Sequence, residues 1–141
     1  ATLDKTFSLA IRESYDYTCA YPGCQFCGNH SLRNSADNRV ECAHYYNRYR
    51  SSGRWHPDNC ASLCRDAHMF LEHNKALEVK FFTELLGSTR HDWLVERHQR
   101  SFRYKPWERA EMNTHYAAQK KAIARRRING ELGFIDLVAW D

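Results

Sequence analysis

Proline and glycine are sparse in this chain, at three and six of 141 residues, and methionine occurs only twice. So little of either excludes a collagen-like repeat, a low-complexity tract or a long flexible linker. No apolar run approaches the ~18 residues of a membrane span. The opening stretch, Ala1-Thr2-Leu3-Asp4-Lys5, is not a basic segment followed by an apolar one, so a cytoplasmic protein is the expectation. No internal repeat is visible. The remaining composition, 43% hydrophobic and 27% charged, is that of a globular protein, and the length suits one domain.

Cysteine is not scarce. Six sit at positions 19, 24, 27, 42, 60 and 64. An even number suggests disulfides in a small exported protein, but no export signal is visible here. Cys24-Gln25-Phe26-Cys27 has the two-residue spacing of a zinc knuckle, which favours metal over disulfides.

Periodicity gives a coarse map. Residues 4–17 read as a helix, capped by Asp4 or Thr6, with Phe7, Ile11 and Tyr15 at helical spacing. Residues 18–40 read as a knuckle and an exposed loop, marked by Pro22-Gly23, Gly28-Asn29 and the polar run from Arg33 to Arg39. Val40 to Tyr46 reads as a strand and Arg54-Trp55-His56 as a second short one, with a turn at Ser51-Ser52-Gly53 between them. From Asp66 the chain reads as helical. Gly87 ends the apolar run from Ala76 to Leu86, Ser88 or Thr89 opens a further helix, and Pro106 opens a longer one that stops near Asn129-Gly130. The apolar tail, residues 131–141, either folds back on the core or meets a partner chain, such as a second copy.

Charge is unevenly spread along the chain. The net charge is +4, and residues 1–88 balance ten Lys/Arg against ten Asp/Glu. Residues 89–127 hold eleven basic and four acidic residues, an excess of seven. Such a segment faces nucleic acid or forms a solvated helix face. Its densest cluster is Lys120, Lys121, Arg125, Arg126 and Arg127, which reads as a collar for the phosphate backbone.

The stretch richest in chemistry runs from Glu41-Cys42-Ala43-His44 through Arg48, Arg54 and Pro57-Asp58-Asn59 to Leu63-Cys64 and His68. A histidine, an asparagine fifteen residues on and a histidine nine beyond that form an ordered series. Cysteines precede it and lie inside it. This arrangement, over about residues 15–105, resembles the HNH, or ββα-metal, endonucleases. Within them it is most similar to the phage recombination nucleases of the NinG/Rap type. The matching stretches are Cys24–Cys27, Cys42-Ala43-His44, Arg54-Trp55-His56-Pro57-Asp58-Asn59, Cys64-Arg65-Asp66-Ala67-His68 and Glu72-His73-Asn74.

The resemblance implies an α+β fold: a small zinc-stapled HNH core over about 15–74, a basic helical extension over about 75–130, and the tail. It implies a metal-dependent DNA endonuclease, working in phage recombination or on branched DNA, in the host cytoplasm if phage-encoded. His44 is then the general base, with Asn59 orienting the base or touching a metal. A catalytic Mg²⁺ or other divalent ion would draw on His68, Glu41 and Glu72. Family members carry a metal ligand directly before the base, where this chain has Ala43. Structural zinc would take Cys24, Cys27 and Cys64, but the family's fourth cysteine falls on Ala67. Cys60 is the expected substitute and Cys19 the other choice. A buried reduced thiol is the plain alternative for Cys19, Cys42 and Cys60. Arg48, Arg50 and Arg54 would flank the cut phosphate. Two other readings stay open. One is an inactive zinc-stabilised DNA-binding module; the other is a phage protein that binds a partner through the tail.

Overall fold

A computed structural model describes residues 2–33, 39–49, 51–100 and 102–140. It is mixed α+β, with six α-helices and one two-stranded antiparallel sheet among the described residues. None of these helices is long and apolar enough to cross a membrane. Helix α1 spans Leu3–Ser14. Thr2, not Asp4 or Thr6, is its cap and accepts from the Lys5 N–H. Asp4 is occupied elsewhere: it accepts from Arg54 and from the Trp55 indole.

Strand β1 spans Val40–His44 and pairs with β2, Cys60–Cys64, in a register that sets His44 opposite Cys60 and Val40 opposite Cys64. The second strand thus lies several residues beyond the expected Arg54-Trp55-His56. Those residues instead end a four-residue helical turn, α2 (Ser51–Arg54), and lead into a 3₁₀ turn at Pro57–Asn59. The physical reason is burial. All five residues of Cys60-Ala61-Ser62-Leu63-Cys64 are covered, so no alternation of polar and apolar residues marks the strand.

Helix α3 (Arg65–Glu72) follows β2 without a loop, and Cys64 caps it, its Sγ accepting from the Ala67 N–H. Helices α4 (Lys75–Leu86), α5 (Ser88–Gln99) and α6 (Pro106–Ile128) complete the chain. One apolar cluster joins the sheet to α3 and α4 through Val40, Leu63, Leu71, Phe81 and Phe82. A second joins α1, α6 and Trp55 through Phe7, Ile11, Met112 and Tyr116.

The tail folds back onto this second cluster. Ile135 and Leu137 are buried in it. The Ile135 N–H donates to the Ser14 carbonyl at 2.9 Å, and the Ser14 hydroxyl donates to the Ile135 carbonyl at 2.7 Å. That exchange satisfies backbone groups that an apolar tail would otherwise leave unpaired at the end of α1.

Candidate metal centre and histidine cleft

Cys19, Cys24, Cys27 and Cys64 bring their sulfurs within 4.8 Å of one another. Tetrahedral zinc with Zn–S of about 2.3 Å needs sulfurs about 3.8 Å apart. Cys24 Sγ and Cys64 Sγ are 3.7 Å apart, and all six cysteines are free thiols. The donor set is therefore compatible with a structural zinc. Cys19 is its fourth member, where the sequence pointed to Cys60. Cys60 and Cys64 lie in one extended strand, so their Cα atoms stand roughly 13 Å apart, too far to share one ion. Cys19 arrives by another route. The Ala20 N–H donates to the Ser62 carbonyl at 2.8 Å, which lays the 19–20 segment along β2 beside Cys64.

Asn29, which the sequence marks only as part of a loop, shapes the knuckle. Its Oδ1 accepts from the Cys24 N–H at 2.7 Å, and its Nδ2 donates to the Cys19 and Tyr21 carbonyls. It sits at a φ of 57°, a left-handed conformation that Asn tolerates better than most residues. The only signal for it was its place after Gly28. At Cys24 burial works against the thiolate, but backbone N–H groups of Phe26 and Cys27 outweigh it and hold the thiol below its usual range. At Cys19 burial dominates and pushes the thiol up to about 11. A metal arriving here would displace a proton from Cys19.

A separate cleft of about 430 Å³ is lined by His44, Cys42, Arg48, His68, Glu72 and Glu78 among others. His44 is the last residue of β1. Its Nε2 lies 3.0 Å from the Arg54 carbonyl. A carbonyl only accepts, so Nε2 carries the proton and the lone pair of the neutral ring resides on Nδ1. Burial holds the imidazole below its ordinary pKa, with the Arg54 hydrogen bond opposing that shift, so the neutral form prevails at pH 7.

Asn59 is completely buried. Its Oδ1 accepts from the Tyr46 N–H at 2.8 Å, and its Nδ2 donates to the Tyr46 and Gly53 carbonyls, both at 3.0 Å. It clamps the segment after His44 to the α2 turn. Gly53 permits the approach, since a Cβ there would meet Asn59 Nδ2 at 3.2 Å. With both ends of its amide engaged on backbone, Asn59 positions the loop that presents His44. Replacing it with Ala should cost on the order of 2–4 kcal/mol in urea unfolding, because three backbone groups, the Gly53 carbonyl buried among them, lose their partner. A variant of unchanged stability but weakened divalent-metal binding would instead mark Asn59 as a metal contact.

His68, on α3, sits between two carboxylates. Its Nδ1 is 3.0 Å from Glu41 Oε1, and its Nε2 is 3.5 Å from Glu72 Oε1. Strand alternation puts Glu41 on the same face as Ala43, so Glu41 supplies a carboxylate to that face one step before the alanine. The three side chains meet pairwise through His68. Among the described residues, the compact groups of candidate metal ligands are the four-cysteine set and a second group made of Cys42, His44 and Cys60. Glu78, also missed, adds a buried carboxylate to the cleft wall. Burial raises its pKa against the pull of Lys75, 3.3 Å away. The run from Ala76 to Leu86 holds two acids, Glu78 and Glu84, and nothing in the sequence singles out Glu78.

The cations divide into two groups. Arg48 is exposed at the mouth of the cleft. Arg54 is instead bound to Asp4 at 2.5 Å and lies over the Trp55 ring. Arg127 is 9% exposed and pairs with Glu13 at 3.3 Å and Asp16 at 3.4 Å, which ties α6 to the end of α1. Arg126 pairs with Glu131 at 2.7 Å, and Arg90 with Asp58. Part of the positive excess of residues 89–127 is therefore spent inside the molecule. Lys121 and Arg125 are exposed and Lys120 half-exposed. Arg50 lies outside the described residues. Tyr45 and Tyr46 pack, on Phe82 and His98 respectively.

No family model, curated protein or solved structure matches the chain.

Proposed function

We propose that this protein is a metal-dependent DNA endonuclease of the HNH type, with its hydrolytic site in the His44 cleft. The observation that carries the reading is His44 itself. Its Nε2–H is fixed on the Arg54 carbonyl, leaving one lone pair on a neutral ring. The ring lines a cleft shared with His68, Glu72 and Arg48. The strand–strand–helix order of β1, β2 and α3 supports the same reading, with His44 at the end of β1, Asn59 just before β2 and His68 on α3.

The chemistry follows from what a phosphodiester needs. Nδ1 of His44 accepts a proton from the attacking water. The Arg54 carbonyl favours the tautomer and then stabilises the imidazolium, which is the role of a fixed acceptor beside a general base. Arg48 meets a phosphate oxygen with its planar fork. His68, Glu41 and Glu72 would hold a divalent cation such as Mg²⁺, which supplies charge neutralisation and an electrophile for the leaving oxygen. The structural zinc staples a core too small to stand on its own apolar burial. By resemblance the setting is phage recombination or the processing of branched DNA. Nicking of supercoiled plasmid in Mg²⁺ or Mn²⁺ tests the reading.

The basic end of α6 sets affinity rather than chemistry. Arg127 meets Glu13 near the C-terminal end of α1, whereas Asp4 at its N-terminal end lines the cleft. By helical rise those residues are roughly 14 Å apart. Lys120, Lys121 and Arg125 are the collar residues left to face phosphates. Replacing all three with Gln should flatten the slope of log K against log salt by up to about three units. The cleavage rate at saturating protein should hardly change. An unchanged slope with a collapsed saturating rate would remove the collar from the account. Arg127→Gln should instead lower stability, because the buried Glu13 carboxylate keeps Arg33 but loses its second guanidinium, and the Glu13 carbonyl loses its donor.

A further inference from the structure

Cys42 and His44 are two residues apart on β1, so alternation points both to one face, and the register sets Cys60 directly across from His44. One candidate ligand atom from each of the three residues lies within 4.8 Å of the others. This group shares no residue with the four-cysteine set. Its back wall is closed, since Cys60 is completely buried. Its front is open, since Cys42 and His44 line the cleft.

We propose that Cys42, His44 and Cys60 form a second, exchangeable site for a soft divalent ion of the zinc class, and that its occupation switches the hydrolytic site off. Two thiolates and an imidazole select zinc or cadmium and discriminate against the hard, oxygen-seeking Mg²⁺. Three protein donors leave the fourth position to water from the cleft, in contrast to the closed four-cysteine set. Binding releases the protons of both thiols to solvent. The switch follows from lone-pair arithmetic. A neutral imidazole has a single lone pair, and a zinc ion on the ring takes the pair that would accept the water's proton. This second half rests on His44 being the base; the site itself does not.

The test starts from folded protein carrying one structural zinc and equilibrates it with buffered free Zn²⁺. Elemental analysis of wild type should give two zinc ions per chain, and of Cys42→Ala one. Cys60→Ala is the second variant, should the first fold poorly. Nicking by wild type in Mg²⁺ should fall roughly 10²-fold or more on zinc loading, the size of losing a general base. Cys42→Ala should show no such loss relative to its own zinc-free rate. Wild type that stops at one zinc, or Cys42→Ala that still takes two, overturns the site. Two zinc ions with nicking undiminished or raised overturns the switch. Absence of nicking even before zinc is added refutes the hydrolase reading instead, and the stoichiometry still decides the site.

Discussion

Cys64→Ser should release zinc and unfold the sheet and knuckle. Cys64 does two things at once: it completes the four-sulfur set and caps α3 through the Ala67 N–H. Structural zinc contributes on the order of 10 kcal/mol in small zinc domains, as large as the whole stability of an ordinary domain. A hydroxyl in place of a thiolate cannot replace that. Cys19→Ser should behave like Cys64→Ser, whereas Cys60→Ala should keep the structural equivalent of zinc. Elemental analysis beside circular dichroism reads all three. A full equivalent of zinc in well-folded Cys64→Ser or Cys19→Ser would refute the ligand set. Loss of the structural zinc from Cys60→Ala would return Cys60 to it.

His44→Ala should lower the cleavage rate by about 10²–10⁴-fold, the usual weight of a general base. Folding and DNA binding should be nearly untouched. Among the described residues the ring bonds to the Arg54 carbonyl, and Arg54 stays fastened by Asp4. The loss should appear at saturating protein, as a fall in the chemical step, and titration with DNA should give a wild-type affinity. A variant that cuts at the wild-type rate would remove His44 as the base. A variant that fails to bind DNA would mean that the ring holds the surface rather than the water.

How far the sequence could be read depended on whether a signal was local. Cys24 and Cys27 declare themselves by spacing, and Cys64 through the motif that carries the HNH resemblance. Cys19 does not, because its membership depends on the 19–20 segment lying along a strand more than forty residues later. Strand β2 was misplaced because small residues covered on both faces leave no period to detect. The outer helices and their stops were legible from Gly87 and Pro106, which act through their own backbone. The basic stretch was readable only as a sum. Arg127 finds Glu13 across 114 positions and Arg90 finds Asp58 across 32, and no count of charges reveals which cations are already engaged. Asn59 stood out in the motif, but its two-ended clamp on Tyr46 and Gly53 exists only once the α2 turn is in place.

The proposed function is hydrolysis of DNA in the His44 cleft with the help of a divalent cation. It is tested most directly by single-turnover nicking of supercoiled plasmid, using folded protein that carries only its one structural zinc, in excess, with and without Mg²⁺ or Mn²⁺. Open circles should accumulate only when the cation is present. Intact plasmid in both ions, from protein that is folded and demonstrably bound to the DNA, would contradict it and leave a zinc-stapled DNA-binding module.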